Sequence, residues 1–396
     1  MSGLVVLSAC GARSALELST VDERAASPFG GAPGIGGVPN ATGGAPASPV
    51  RVTAISAGAD HTCGVAAGMA KCWGYNDLGE LGNGARLNSL VPVNVTGLSS
   101  GVLAISAGGA SCALTSTGAA KCWGPNSYRQ LGSDSGNSLL PVDVDSLSSG
   151  VASVSVGGFA ACAVLSGGVV RCWGNPDLGN GRSPFPLDVQ GLTGVVSVSA
   201  GYGHVCAVTA VGAVKCWGRN DVGELGNRSS GDSLVPVDVE GLSSDVLSVS
   251  AGYHQTCAVT FTGAVKCWGS NSMGQLGNNS TVDSRVPVDV VGLSSGVLSV
   301  SAGDLYTCAV TSMGAVKCWG SNMWGTFGDP TTTSTSFLPV DVVGLSANVM
   351  SVSVGENHAC ALTSTGAVKC WGKNDFGQLG NGSTIGSSVP VDVLGL

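Results

Sequence analysis

The chain has 396 residues, and 43% of them are hydrophobic, which is ample for a substantial core. Only 11% are charged, and the formal net charge is −8 at pH 7. Proteins that grip nucleic acid usually carry a basic surface, so this balance argues against a nucleic-acid partner. No stretch of the sequence is long and apolar enough to cross a membrane as a helix.

Residues 1–10 read as a signal-like segment that ends in Leu7-Ser8-Ala9-Cys10. This ending resembles the processing box of bacterial lipoproteins, in which the cysteine becomes the lipidated first residue of the mature chain. Small residues before the cut and a preceding apolar run fit such a signal, but the run is short and no Lys or Arg precedes Cys10. The resemblance implies lipidation at Cys10. The alternative is a disordered N-terminus with an incidental cysteine.

Residues 11–49 are rich in Gly, Ala and Pro, and this composition is typical of a flexible linker without a core of its own. Between a lipid anchor and a folded domain, it would serve as a tether. The folded domain is expected to comprise residues 50–396.

A hairpin-like unit recurs seven times in that domain, with its first cysteines spaced by about 50 residues. In the sixth copy, pairing Cys308 with Cys318 puts Val310 opposite Val316 and leaves a three-residue loop ending in Gly314. The two cysteines then face each other at a distance that a disulfide can bridge. The predicted pairs are Cys63–Cys72, Cys112–Cys122, Cys162–Cys172, Cys206–Cys216, Cys257–Cys267, Cys308–Cys318 and Cys360–Cys370.

Seven cysteine pairs in matched register favour disulfides over free buried thiols. Metal binding is disfavoured because the pairs lack Cys-x-x-Cys spacing and have few histidine partners. Disulfides persist in oxidising compartments, so the sequence predicts a protein of the periplasm, the cell surface or the extracellular space.

Each copy also carries four short strand patterns, as in the fifth copy between Val246 and Val290. Seven repeats of four strands predict an all-β, seven-bladed β-propeller of antiparallel blades, with an open solenoid as the alternative. In a ring, the terminal strand Val389–Val393 could complete the blade that begins at residues 50–56.

The run Ser-Ala-Gly-x-x-His-Thr-Cys-Ala-Val-Thr, followed by Gly-Ala-Val-Lys-Cys-Trp-Gly-x-Asn-x-x-Gly-Gln-Leu-Gly-Asn, resembles the regulator of chromosome condensation repeat over residues 51–396. The resemblance implies a seven-bladed propeller. Members of that family include a guanine-nucleotide exchange factor, a plant light receptor and a β-lactamase inhibitor, so the fold does not give the function. This chain lacks a basic tail and an evident GTPase-binding insertion, and its third copy is shortened at residues 175–186.

No catalytic constellation is evident in the sequence. The four histidines, His61, His204, His254 and His358, all lie two or three residues before a cysteine, which indicates hydrogen-bonding turn residues. The recurring aspartates of Pro-Val-Asp-Val indicate a solvated or structural role. We predict a non-enzyme without cofactor or metal, and we expect a monomer. A secreted enzyme with a site assembled across blades, and a GTPase regulator by family analogy, remain the alternatives.

Strand direction predicts where a partner would bind. The Ala-Gly-x-x-His turns and the Asn-x-x-Gly loops should share one face of the ring, and aromatic side chains gather in both. Of the turns on the other face, only that of Phe261 is aromatic. We expect this face to bind a protein partner, with a glycan left open. The candidate residues are Tyr75, Tyr128, Phe159, Tyr202, Tyr253, Tyr306, Trp324 and Phe376, with Arg129, Asp304 and Glu356 as polar contacts.

Overall fold

The computed structural model describes residues 51–175, 183–332 and 334–396. These residues form 28 strands in seven four-stranded antiparallel sheets, each built from consecutive strands. The predicted seven-bladed propeller is confirmed. The signal-like segment with Cys10, the linker of residues 11–49 and most of the shortened loop of the third copy lie outside the described residues.

The strands occupy four positions in each blade, from the axis outward. The first strands are Val52–Ala57 (β1), Val102–Ala107 (β5), Val151–Val156 (β9), Val195–Ala200 (β13), Val246–Ala251 (β17), Val297–Ala302 (β21) and Val349–Val354 (β25). The second strands are His61–Ala66 (β2), Ser111–Thr115 (β6), Ala160–Leu165 (β10), His204–Thr209 (β14), Gln255–Thr260 (β18), Tyr306–Thr311 (β22) and His358–Thr363 (β26).

The third strands are Met69–Gly74 (β3), Ala120–Gly124 (β7), Val170–Gly174 (β11), Val214–Gly218 (β15), Val265–Gly269 (β19), Val316–Gly320 (β23) and Val368–Gly372 (β27). The fourth strands are Ser89–Asn94 (β4), Ser138–Asp143 (β8), Leu187–Asp188 (β12), Ser233–Asp238 (β16), Ser284–Asp289 (β20), Ser336–Asp341 (β24) and Ser387–Asp392 (β28).

The hairpin between the second and third strands has the register that the sequence predicts. Cys308 pairs with Cys318 and Val310 with Val316, and Gly314 closes the turn at a φ of 75°. Glycine suits this turn because a left-handed backbone is costly for other residues. All seven cysteine pairs lie at disulfide distance, with Cα atoms 4.0–4.1 Å apart.

The recurring aspartates tie the outer strand to its neighbour. Lys215 of β15 lies 2.6 Å from Asp238 of β16, and Lys369 of β27 lies 2.6 Å from Asp392 of β28. Equivalent pairs occur in three other blades, and Arg171 pairs with an aspartate in the third. The structural role expected for these aspartates is confirmed, and it lies at the rim of the ring.

The core is divided among the seven joints between neighbouring blades. At each joint, residues of one blade pack around the tryptophan of the next. Trp123, for example, packs with Leu81 and Val95 of the first blade. Its Nε1 donates a hydrogen bond of 2.8 Å to the Glu80 carbonyl. Five further tryptophans donate in the same way, and Trp217 has no such acceptor among the described residues.

The ring is closed without a shared strand, so the expectation that the terminal strand completes the first blade is wrong. Strand β28 pairs with β27 in its own blade, and β1 to β4 form the first blade. The joint is instead made by side chains. Ser353 Oγ accepts a hydrogen bond of 2.9 Å from Ala57 N. Six equivalent serines accept the corresponding bond at the other joints.

Candidate binding surface

The two kinds of loop predicted to share a face do so. We call this the upper face; it carries the turns between first and second strands and the loops between third and fourth strands. Backbone hydrogen bonds join the turn and the loop of a blade. Tyr75 N donates a bond of 3.0 Å to the Asp60 carbonyl, and Ser270 N donates a bond of 2.8 Å to the His254 carbonyl. The lower face carries the hairpin turns, including Phe261, and the connections to the next blade.

Four of the candidate aromatic residues form one continuous arc from the second blade to the fifth. Tyr128 and Phe159 have ring centroids 4.3 Å apart, and Phe159 lies 4.3 Å from Tyr202. Tyr202 stacks on Tyr253 at 3.7 Å, and Tyr253 meets the ring of His254 edge-on. Side chains from separate repeats therefore build a single aromatic surface.

A second aromatic cluster lies across the seam between the sixth, seventh and first blades. Tyr75 and Phe376 have ring centroids 5.0 Å apart. The ammonium of Lys373 lies 5.3 Å from the Phe376 ring and 5.7 Å from the ring of Trp324, which is 44% exposed. Lys373 also pairs with Asp60 at 3.2 Å. Two predicted candidates, Trp324 and Phe376, thus meet around a cation, and Tyr75 contacts the second of them.

Tyr306 does not belong to the surface, so its prediction as a contact residue is wrong. It is only 1% exposed, and its hydroxyl donates a hydrogen bond of 2.6 Å to the His358 carbonyl. The physical reason is register: Tyr306 opens strand β22, at the position that His204 and Gln255 occupy in the two preceding blades. Tyr253, in contrast, lies two positions before Gln255, in the turn itself.

An axial cavity of about 240 Å³ opens among the turns of the upper face. Its wall is built from small residues that end the first strands, and from Tyr202, Tyr253, Asp304 and Glu356. Burial raises the pKa of the Asp304 carboxyl. Burial, and then the charges of Asp60 and Asp304, raise the pKa of Glu356. The candidate polar residues are therefore partly desolvated and close enough to repel each other.

Arg129 is exposed and pairs with Asp134 at 2.7 Å, beside Tyr128. Such a surface ion pair is weak, so the guanidinium can exchange its partner at low cost.

The hydrogen-bonding role predicted for the histidines is confirmed for three of them, which bond between blades. Their predicted place in a turn is wrong, because His61, His204 and His358 are the first residues of β2, β14 and β26. His358 Nε2 lies 2.8 Å from Thr62 Oγ1, whose own hydrogen goes to the Gln378 carbonyl. His358 Nε2 must then donate, so Nδ1 carries no hydrogen, and this atom has no hydrogen-bond partner in the part of the chain that the structure describes. His61 and His204 make equivalent bonds to Ser111 and Thr256.

Burial lowers the pKa of His61 and of His204 to about 4, and it lowers that of His358 to about 3. All three are therefore neutral near pH 7. His254 lies one residue earlier in its repeat and contacts Glu224 at 3.2 Å. Burial acts to raise the pKa of Glu224, but its hydrogen bond with His254 and the nearby His204 leave that pKa lowered.

Sequence reasoning missed Lys373 and Asp60. Lys373 follows Cys-Trp-Gly in the seventh copy, at the position of Tyr75 in the first, so the repeat alignment that found Tyr75 could have found it. It also missed the axial cavity, whose sequence signal is the glycine that follows each first strand, after Ala in five blades and after Val156 and Val354 in the other two.

Within the described residues, no group of three or more His, Cys, Asp or Glu side chains is placed to hold a metal ion. No helix of the described chain is long and apolar enough to span a membrane.

The fold and the repeat define a class of protein that family comparison identifies. Residues 72–114, 212–259, 262–310, 314–362 and 365–396 match the model described as Regulator of chromosome condensation (RCC1) repeat. A second model of the same repeat matches residues 151–180, 195–224, 246–275, 297–328 and 349–378. The matches cover more than half of the chain, which therefore belongs to the RCC1 repeat family.

Relatives share part of this chain. The human E3 ubiquitin-protein ligase HERC2 is 33% identical over 179 residues, which are 44% of this chain and 4% of that protein. The ultraviolet-B receptor UVR8 of Arabidopsis thaliana is 32% identical over 171 residues, which are 42% of this chain and 39% of the receptor. The aligned parts span well under two thirds of either relative.

Solved structures share the fold. Human WBSCR16 superposes with a TM-score of 0.73 at 23% identity, covering 82% of this chain and 93% of that one. Prp20p from Saccharomyces cerevisiae gives a TM-score of 0.74 at 19% identity, covering 88% and 87%. At these identities the likeness shows the architecture alone.

Proposed function

We propose that this chain is a non-enzymatic binding module that captures a protein partner with its upper face. The observation that carries the proposal is the one-sided arrangement of aromatic side chains. Two clusters, one around Tyr202 and one around Lys373, lie on the upper face. Among the described residues, the lower-face turns offer one aromatic side chain, Phe261.

The chemistry of the upper face suits protein recognition. Trp324 and Tyr128 are 44% and 47% exposed, and such side chains bury a large area on binding while losing few rotatable bonds. Lys373 and Arg129 add positive charges next to these rings. The loops are held by backbone hydrogen bonds, so little ordering remains to oppose association. Prp20p, which shares the fold, is described by its binding properties to Gsp1p and histones.

The seven cysteine pairs support a location in an oxidising compartment: the periplasm, the cell surface or the extracellular space. Lipidation at Cys10 would tether the module to a membrane there. An intracellular exchange factor would have no evident use for seven disulfides, so the display of a binding surface is the better supported function.

Site-specific photocrosslinking on intact cells tests the proposal. A photoreactive phenylalanine analogue is placed at position 324 on the upper face, or at position 261 on the lower face as the matched control. Both native side chains are exposed and aromatic, at 44% and 58%. We expect position 324 to capture a discrete protein that position 261 does not. Equal capture from both positions, or capture from position 261 alone, would refute the assignment of the face.

Affinity for the captured protein provides the second measurement. Trp324→Ala should weaken binding by about 2 kcal/mol, or roughly thirtyfold, if the side chain is a central contact. Phe261→Ala should leave affinity unchanged. Equal melting temperatures of the two variants would show that the loss is not due to unfolding.

A further inference from the structure

Seven equivalent positions surround the mouth of the axial cavity, because each turn places the residue after its first glycine there. Blades four and five supply Tyr202 and Tyr253, and blades six and seven supply Asp304 and Glu356. The other three blades supply Ala59, Gly109 and Gly158. Large side chains therefore border one side of the mouth, and small residues leave room on the other. The backbone of the turns is therefore repeated around the ring, whereas the side chains at the mouth differ from blade to blade.

The negative charge at this mouth is only partly compensated: burial leaves the pKa values of Asp304 and Glu356 raised, although His254 acts to lower the first and Lys373 acts to lower the second. Among the described residues, neither Asp304 nor Glu356 makes a side-chain hydrogen bond or an ion pair. The ammonium of Lys373 already pairs with Asp60 at 3.2 Å and with Asp375 at 3.8 Å. Partly buried carboxylates without partners are costly, because desolvation is not repaid by an opposite charge.

The aromatic side of the mouth is also suited to a cation. The face of an aromatic ring carries partial negative charge and attracts a cation within about 6 Å of its centroid. Tyr202 and Tyr253 stack at 3.7 Å, so each ring covers one face of the other and only its second face can meet a ligand; Phe159 extends the same wall. Burial raises the pKa of Tyr253, and so do Tyr202 and the charges of Asp304 and Glu356. The two carboxylates and the two tyrosines therefore border one space.

We propose that the axial cavity binds an alkylammonium group, carried by a lysine side chain of the protein partner. Carboxylates at one side would balance the charge, and tyrosine faces would contact the methylenes and the ammonium. This inference rests on the proposed function, because it identifies the group by which the partner enters the upper face.

A bare divalent metal ion fits the cavity less well. Calcium takes six to eight oxygen ligands, whereas this mouth offers two carboxylates and a wall of aromatic rings and small residues. The cavity, at about 240 Å³, also has room for several water molecules, so it suits an organic cation better than a single ion.

Titration with small cations tests the site on the intact chain. The probes are Nα-acetyl-lysine methylamide, choline, and 3,3-dimethylbutan-1-ol, which has the shape of choline without its charge. Chemical shifts of the tyrosine rings report binding. We expect saturable binding of both cations and affinity at least about tenfold lower for the alcohol. No saturable binding of the cations, or equal affinity for choline and the alcohol, would overturn the proposal.

Charge-removing variants localise the effect. Glu356→Gln and Asp304→Asn should each weaken lysine-amide binding by about tenfold. Asp134→Asn removes the same charge from an exposed position of the upper face, outside the cavity, and should change nothing. If the Asp134 variant lost as much affinity as the other two, general surface charge and not the cavity would be responsible.

Competition separates this inference from the proposed function. Saturating lysine amide should displace the protein captured from position 324, which identifies the partner's lysine as the ligand. If the cations bind but do not displace it, the ligand is a free amine and the lysine assignment is wrong. If the Asp304→Asn and Glu356→Gln double variant captures the partner with unchanged affinity, the upper-face function stands and the inference falls. Capture from position 261 alone would instead remove the function.

Discussion

Mild acid should open the ring at the three joints that contain buried histidines. His61, His204 and His358 are at most 2% exposed, and each bonds a hydroxyl of the following blade. Their pKa values are lowered by burial from 6.5 to about 4, about 4 and about 3. Unfolding restores an ordinary pKa, so the unfolded chain binds protons that the folded chain does not.

The sign and size of the effect follow from linkage. A lowered histidine pKa stabilises the fold fully above about pH 6.5, and that contribution is lost as the pH falls toward the folded pKa. Each pH unit in that window costs about 1.4 kcal/mol per histidine. At pH 5 each histidine therefore lowers the free energy of unfolding by about 2 kcal/mol, and the three together lower it by about 6 kcal/mol. This is a large part of a typical stability of about 5–15 kcal/mol.

Urea unfolding at pH 7.5 and at pH 5 measures this loss. The comparison is a triple variant, His61→Gln, His204→Gln and His358→Gln, since Gln255 already fills the equivalent position in the fifth blade. The raised pKa values of Asp304 and Glu356 favour the fold in acid, but they are common to both proteins and cancel. Between pH 7.5 and pH 5, the free energy of unfolding should fall much less in the triple variant than in the wild type. Parallel losses in the two proteins would refute the role of the histidines.

Three further outcomes are expected. Ser353→Ala should lower the free energy of unfolding by about 1–3 kcal/mol, because it leaves a buried N–H unpaired. Ser199→Ala should have the same effect, since its joint is equivalent. Chemical denaturation of both variants would show whether the joint that closes the ring is weaker. Cys257→Ala with Cys267→Ala should cost a few kcal/mol at most, since only a local loop is released, and circular dichroism should show the ring still folded. Glu356→Gln should raise the melting temperature at pH 7 and lose that advantage in acid, because a raised carboxyl pKa destabilises the fold once the group is ionised.

The fold was largely predictable because its determinants are local. Cys308 and Cys318 fix the register of a hairpin whose turn ends in Gly314, and no distant contact is needed to see this. The copies then specify the ring by repetition. Ring closure was not predictable in the same way. Whether β28 completes its own blade or the first depends on pairing between the chain's ends, and the sequence pattern allows both.

The candidate surface was predicted in outline, and the error at Tyr306 shows what was missing. In the turn that precedes each second strand, two positions separate a ring that points to solvent from one that packs in the core. Treating the turn as uniform placed Tyr306 with Tyr253. The axial cavity was harder to predict, because Ala59, Gly109 and Gly158 create its space by being small and not by carrying a recognisable functional group. Their effect becomes visible only once seven turns are brought around one axis.

The closure of the ring by side chains has a consequence for how the gene could be rearranged. Each blade is one contiguous repeat, and every joint uses a serine of the same kind. Leu396 and Val52 pack in one cluster, so the two ends of the folded domain are neighbours. A circular permutant that opens in the connection before β17 and links these ends would rebuild the same seven joints. Single repeats could also be exchanged between relatives. Each exchange would replace one of the seven residues at the mouth of the cavity, so the ligand preference of the cavity could change one repeat at a time.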